Sequence, residues 1–378
     1  MTKRANGESS IVKGDDGRFH GYVSMGLKEG GKRDRRHVAA VKRADAVRMV
    51  RQLEEQRDAG VVLTSGRGVS VEQWMNTWLD TIASRKVRPS TLAGYRTCLK
   101  RINPVLGHHR LDKLQPEHLE AFYTRLEADG LSSTTALLHH RVISRALKVA
   151  MQRGRVARNV ATLVDAPTAR REEVQPLTAA EARKLLEVAT ELPNGARWSV
   201  ALALGLRQGE ALGLLWDAVD LDAGTLTVRR ALQRQAGEGL VLVEPKSRAG
   251  RRTIKLPDAL RDALRVHRVR QTEQRLAAGN VWEDRGFVFC QPTGRPIDRR
   301  RDWQDWKTLL KAAGVRDARL HDARHTAATL LLQQGVPARV VMDILGHSQI
   351  SLTLGTYSHV VPELAQEAAE RMGKALWG

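Results

Sequence analysis

Cysteine is almost absent from this 378-residue chain: Cys98 and Cys290 are the only two, and they lie far apart. That excludes a disulfide framework and a four-ligand zinc site and suits a reducing compartment. Long apolar runs are missing as well. No stretch approaches the roughly 18 residues that a membrane-crossing helix needs, and Met1 to Glu8 has no apolar core of the signal-peptide kind. A soluble, cytoplasmic protein is therefore expected. Negative charge is scarce: 42 Asp and Glu face 62 Lys and Arg, a net charge of +20 with His neutral. The imbalance excludes a polycationic partner and favours a polyanion, nucleic acid first. No GxxxxGK[ST] run supports nucleotide binding. No HExxH or paired-cysteine spacing supports zinc.

What is present is enough apolar residue for a real core, 42% of the chain, and a length that suggests two or three domains. Asp16-Gly17 is a hairpin turn signal. It precedes an alternating run in which Phe19, Gly21, Val23 and Met25 face away from His20, Tyr22 and Ser24. A second turn at Gly30-Gly31 leads into the basic run from Lys32 to Arg36, and Ala44 to Arg57 has helical periodicity. Residues 1–60 thus read as a small sheet backed by one helix. The basic run is either a solvated edge that blocks aggregation or a contact for phosphates or a groove. Residues 61–68 read as a linker. Ser70-Val-Glu-Gln73 is a capping box that opens a helix with Val71, Trp74, Trp78 and Ile82 on one face. Pro89 and Pro116 suit the starts of two more helices. These carry Leu92, Tyr95, Leu99 and Ile102, then Leu119, Phe122 and Leu126. A fourth runs from about Ser133 to Gln152 along Leu138, Val142, Ala146 and Met151. Residues 69–166 are read as all-helical, with the tryptophan stripe as core.

From residue 167 to 378 the chain is mostly helical after a capping box at Thr178 to Glu181. Three short alternating runs, 225–230, 240–243 and 252–256, predict one small antiparallel sheet. The fold class is therefore mainly α with small antiparallel β-sheets. The net charge divides as +5 over 1–60, +1 in the linker, +7 over 69–166 and +7 over 167–378. No part is a basic tail.

Chemistry-bearing residues concentrate in the last part. Arg207 sits between the apolar stretches Ala201 to Leu206 and Ala211-Leu212, where an arginine is costly to bury without an anion. Glu210 could orient it by a salt bridge. His321 and Arg324 lie one helical turn apart on one face. His321 and His325 could share a metal at i, i+4, but no third ligand accompanies them. The adjacent pairs His108-His109 and His139-His140 read as surface or capping residues. Asp217, Asp220 and Asp222 read as turn residues, so the acidic cluster of a metal-dependent nuclease is missing.

Taken in order, Arg207-x-x-Glu210, Lys246, His321-x-x-Arg324, Leu345-Gly346-His347 and Thr356-Tyr357-Ser358-His359-Val360 make the sequence resemble the tyrosine recombinases. The likeness is to phage and mobile-element integrases with an N-terminal arm-binding domain. The resemblance implies a site-specific recombinase that cuts and rejoins DNA through a 3′-phosphotyrosyl link and a Holliday junction, without ATP, metal or other cofactor. It implies Tyr357 as nucleophile and Arg207 and Arg324 as bidentate clamps on the scissile phosphate. Lys246 would protonate the 5′-oxygen, His321 would act as general acid/base, and His347 would hydrogen-bond the phosphate. Residues 1–60 would bind arm-type sites, and 69–166 would be a SAM-like core-binding domain. Residues 167–378 would be the mixed α/β catalytic domain, ending in a helix with Leu364, Ala368, Met372 and Leu376 that packs at home or crosses to a neighbour in a tetramer on DNA.

Candidate contacts to double-stranded DNA are Lys32, Arg33, Arg35, Arg36, Arg96, Lys100, Arg141, Arg251 and Arg252. Accessory DNA-bending or directionality proteins are further expected partners, and a bacterial cytoplasm, at the nucleoid, is the expected location. The competing expectation is a non-catalytic DNA-binding regulator that keeps the fold.

Overall fold

The computed structural model describes residues 10–27, 33–58, 68–169, 175–235, 237–245, 250–346, 369–370 and 372–378. The chain divides into two compact units, Met1–Arg171 and Glu172–Gly378.

The first unit opens with a three-stranded antiparallel sheet in the order β1 (Ser10–Lys13), β2 (Phe19–Leu27), β3 (Arg33–Ala40). The Asp16-Gly17 turn joins the first two strands, with Gly17 at φ 76°. Helix α1 (Arg43–Asp58) covers the sheet, burying Ala46 and Val50 on the side of Val23. Arg35 is exposed and Arg36 half-buried. Lys32 and the side chain of Arg33 lie outside the described residues.

Four helices follow. Helix α2 (Val71–Thr77) starts at the expected capping box, in which the Gln73 N–H donates to Ser70 Oγ and the Ser70 N–H to Gln73 Oε1. It runs on through one π turn to Ala83. Helices α3 (Pro89–Leu106) and α4 (Pro116–Ala128) each have proline in the first turn, where its missing N–H costs nothing. Helix α5 (Ser133–Gln152) closes the bundle. Trp74, Trp78, Phe122 and Leu147 form the centre of the core, and the Trp74 Nε1–H donates to the Ala146 carbonyl at 3.0 Å. The buried face of α5 is Ala136, His139, Val142, Ile143, Ala146, Leu147 and Ala150, so Val142 and Ala146 stand in the core as expected, whereas Leu138 and Met151 are exposed. His139 is therefore a core residue and not a surface or cap residue. It falls one turn from Ala136 and Ile143, and its Nδ1 pairs with the Thr135 carbonyl at 2.8 Å. Arg96, Lys100 and Arg141 are exposed on this unit.

The second unit begins with α6 (Ala179–Ala189), opened by the Thr178–Glu181 capping box. Helices α7 (Ala196–Leu204) and α8 (Gln208–Leu212) come next. Strands β4 (Val219–Asp220), β5 (Thr225–Val228) and β8 (Arg252–Lys255) form one sheet. Strands β6 (Ala231–Gln235) and β7 (Gly239–Val243) form a separate hairpin. The single sheet expected from sequence is thus two. Run 240–243 pairs with its neighbour in the chain, where loop closure is cheapest, and only 225–228 and 252–255 pair with each other. Asp220 ends β4 and braces the turn that follows, its Oδ1 accepting the N–H groups of Asp222 and Ala223. Helices α9 (Asp258–Ala278), α10 (Arg299–Ala312), α11 (Leu320–Gln333) and α12 (Ala338–Leu345) follow. Among the described residues, no helix is long and apolar enough to cross a membrane.

An ion pair braces the interior of this unit. The Arg197 Nε and Nη2 donate to the two oxygens of Asp302, each at 3.1 Å, with both side chains 2% exposed. The Gln208 amide donates to the same carboxylate at 3.0 Å. An unpaired charge there has no solvent to turn to. Asp302→Ala is expected to destabilise the unit by about 3–5 kcal/mol in urea unfolding. A loss below about 1 kcal/mol, the level of a surface pair, would show that the brace carries no weight.

Candidate active site

Helix α7 ends at Gly205, which takes a left-handed conformation, φ 59° and ψ 32°. A Cβ at this position would meet Leu345 Cδ2 at 2.6 Å and Ala327 Cβ at 3.2 Å, so both the turn and the close approach call for glycine. The reversal delivers Arg207 as the extended residue before α8. Glu210, buried one turn on, reaches back to it: Oε2 accepts the Arg207 N–H at 3.1 Å, and Oε1 accepts Nη1 at 2.7 Å. The Arg207 side chain nevertheless remains 42% exposed, so the pair fixes its inner edge and leaves an outer edge open.

Arg324 comes from the second turn of α11 and is 3% exposed. Its Nη1 donates to the Gly205 carbonyl and its Nη2 to the Leu345 carbonyl, both at 2.8 Å. The Arg207 Nη2 donates to the next carbonyl along, Gly346, at 2.9 Å. A third arginine, Arg252 of β8, donates Nε to the Ile344 carbonyl at 2.5 Å and Nη2 to Glu210 Oε2 at 3.0 Å. Its side chain is 8% exposed. It faces the interior and Glu210 and offers little surface for the DNA contact expected of it. Its neighbour Arg251 is exposed.

Three consecutive carbonyls at the end of α12 are therefore each taken by a different guanidinium. A helix leaves its last carbonyls without internal partners and carries partial negative charge there, so the arginines and the helix end stabilise one another. Gly346 closes the helix at φ 68° and ψ 45° and hands the chain to His347. Three guanidiniums against the one carboxylate of Glu210 leave net positive charge, the balance required to hold a phosphodiester. Burial pushes the Glu210 carboxyl up, but the guanidiniums of Arg252 and Arg207 outweigh it and hold the group below the usual carboxylate range.

His321 lies on α11 one turn before Arg324. Burial lowers its pKa, Arg324 and Arg207 lower it further, and Asp322 opposes them. The imidazole is therefore neutral at neutral pH, the state that can accept a proton. His325 sits edge-on to it, with ring centroids 4.9 Å apart and planes at 89°. Its pKa is pushed down to about 4, by burial first and then by His321. No group of three His, Cys, Asp or Glu among the described residues could hold a metal ion. The structure thus brings Arg207, His321 and Arg324 together, whereas Lys246, His347 and Tyr357 lie outside the described residues. Sequence reasoning missed two members. Arg252 was legible from strand alternation, which puts it on the buried side of Ile254. His325 was considered only as a metal ligand.

Two outcomes follow from this geometry. Gly205→Ala should cost about 1–3 kcal/mol in thermal unfolding, because the methyl group must displace Leu345. His325 has a folded pKa of about 4 against an ordinary 6.5, so between those values the unfolded chain binds the proton and the folded chain does not. Stability is then lost as pH falls from 6.5 towards 4. His325→Gln should flatten that acid decline of the melting temperature, and an unchanged slope would assign the decline to other groups.

The phage integrase family model matches residues 175–363, and the phage integrase N-terminal SAM-like domain matches residues 70–126. The chain is 39% identical to an integrase of Saccharopolyspora erythraea, over all of this chain and 98% of that one. It is 30% identical to a XerC-like tyrosine recombinase of Caldanaerobacter subterraneus subsp. tengcongensis, over 80% and 83% of the two chains. Its fold is shared with the Tn1549 transposon integrase, TM-score 0.70 at 23% identity over 81% of this chain and all of that one. It is also shared with lambda integrase, TM-score 0.57 at 16% identity over 94% and 96%. A family match over half the chain and a relative aligned along all of it together establish that this protein belongs to the phage integrase family, the tyrosine recombinases, enzymes that cleave and rejoin DNA.

Proposed function

We propose that the protein carries out site-specific integration and excision of a phage or mobile element, with one scissile phosphate seated against Arg207 and Arg324. The observation that carries this reading is the convergence of the two guanidiniums on consecutive carbonyls, Leu345 and Gly346, immediately before His347. Arginine forks held in place before the substrate arrives need no reorganisation when negative charge builds on the non-bridging oxygens.

The Tyr357 oxygen attacks phosphorus and gives up its proton to the neutral His321. A Tyr357–phosphorus bond forms, the bond to the 5′-oxygen breaks, and Lys246 supplies the proton that the leaving oxygen takes up. His347 donates a hydrogen bond to the phosphate. The 3′-phosphotyrosyl link conserves the bond energy, so the 5′-hydroxyl of a partner strand reverses the step, and two rounds resolve a Holliday junction. Three domains divide the work: 1–60 on arm-type sites, 69–166 on the core site, and 167–378 for the chemistry, with 61–68 as linker. The spread of +5, +7, +1 and +7 along the chain supports contact of every domain with DNA, through residues such as Arg35, Arg96, Lys100, Arg141 and Arg251. Affinity should then fall steeply with salt. Lambda integrase has been solved as a tetramer on a Holliday junction, which supports a tetramer here, with the C-terminal helix as the exchanged segment. A DNA substrate of this kind sets the working place at the nucleoid of a bacterial host.

The test is covalent capture. The full chain, incubated in EDTA with nicked duplex carrying its attachment site, should form a protein–DNA adduct that disappears in Tyr357→Phe. Arg324→Lys, which keeps the charge and loses the fork, should slow adduct formation by about 10²–10³-fold. Binding without any adduct would make the protein a regulator, and cutting that EDTA abolishes would make it a metal-dependent nuclease.

A further inference from the structure

We propose that Arg252 is a positioning residue for strand cleavage, holding Arg207 through Glu210 while it ties the end of α12 to the sheet. The inference rests on the recombinase reading above and adds to it a residue outside the phosphate-clamping pair.

Arg252 is anchored in the sheet. Its backbone pairs with Val228 in the β5–β8 ladder, two residues from the pair Leu226 and Ile254 on the same face, and all three apolar neighbours are buried. From this base the guanidinium works in three directions. Nε donates to the Ile344 carbonyl at 2.5 Å, Nη2 to Glu210 Oε2 at 3.0 Å, and Nη1 to the Gly250 carbonyl at 3.3 Å. Arg207, by contrast, stands at the end of a glycine turn with an exposed outer edge, so its pose depends on what grips the inner edge. Glu210 is that grip, and its Oε2 is shared between the Arg207 N–H and Arg252.

The sharing also settles the charge. A carboxylate gripped by Arg207 alone would be its full counter-ion and would compete with an incoming phosphate for the same donors. Held between two guanidiniums, it orients Arg207 without neutralising it. Charge-assisted, planar contacts of this kind are not reproduced by a lysine ammonium, which cannot serve Ile344 and Glu210 at once in the same geometry. Through the Gly250 and Ile344 carbonyls the same guanidinium joins the start of β8 to the end of α12; in sequence Lys246 precedes the first by four residues and His347 follows the second by three.

The experiment compares single-turnover adduct formation on the nicked attachment-site duplex, at saturating DNA, for full-length wild type, Arg252→Met, Arg252→Lys, Glu210→Gln and the Arg252→Met/Glu210→Gln double variant. DNA affinity and melting temperature are measured alongside. Arg252→Met should slow cleavage by about 100-fold, in the range of a lost preorganised donor, with DNA affinity within about twofold, the signature of an interaction that serves the transition state and not binding. Arg252→Lys should recover part of the rate. Adding Arg252→Met to Glu210→Gln should slow cleavage less than about threefold further, since residues acting through one another are non-additive. An unchanged rate in Arg252→Met would overturn the proposal. So would full multiplication of the two single effects, or a fall in affinity that matches the fall in rate. Where Arg252→Met does not fold, Arg252→Lys decides, and wild-type rate in that variant overturns the proposal. Failure of the wild-type protein itself to form an adduct overturns the recombinase reading and takes this inference with it.

Discussion

The site hangs on the carboxyl end of α12. A helix end exposes carbonyls that its own backbone cannot satisfy, and here Ile344, Leu345 and Gly346 are satisfied by Arg252, Arg324 and Arg207 in that order. The three arginines come from a strand, a helix and a turn that are remote in sequence. One short helix end therefore brings them into register. In the sequence His347 follows it directly, with Tyr357 ten residues further on.

Concentrating that much positive charge in a partly buried place is unfavourable on its own. Main-chain dipoles and the Glu210 carboxylate offset that cost. Arg324 is paired with carbonyls of Gly205 and Leu345, which stabilise a guanidinium and leave its net charge intact. Glu210 supplies a formal negative charge and divides it between two arginines. The Arg197–Asp302 pair lies outside this cluster and is fully compensated, yet it reaches the site because Gln208, next to Arg207, bonds the same carboxylate. Compensation by carbonyls keeps a cation available, and compensation by a dedicated carboxylate consumes it. The unit uses the first at the site and the second behind it.

Local signals explain most of what was legible in the sequence. The capping boxes at Ser70 and Thr178 and the helix-starting prolines involve residues within one turn of each other, and they stand where expected. The pairing of strands was less legible, because alternation marks a strand without naming its partner. That is why 240–243 was grouped with the wrong neighbours. Along α5 the expected stripe holds at Val142 and Ala146 and fails at its two ends, Leu138 and Met151, while His139 takes a core place that a histidine among apolar residues does not announce until Ala136 and Ile143 are taken as its neighbours. Arg207, His321 and Arg324 were legible as types in an ordered pattern. The carbonyls that receive two of them were not, because a main-chain acceptor has no residue signature. Lys246, His347 and Tyr357 rest on the pattern of the motifs and on the family to which the chain belongs.

Two glycines show how tightly the arrangement is drawn. Gly205 and Gly346 end α7 and α12 in the same left-handed conformation. A left-handed residue turns the chain back across the helix end it has just left, and after Gly205 that reversal brings Arg207 to the carbonyl cluster. At Gly205 the reversal also admits Leu345 to a place where a Cβ would stand 2.6 Å from it. The two helix ends can therefore approach closely enough for Arg324 to bridge the Gly205 and Leu345 carbonyls with one guanidinium. A bulkier residue at that turn would separate two acceptors that a planar fork must reach together, which makes the glycine as much a part of the cation geometry as the arginine.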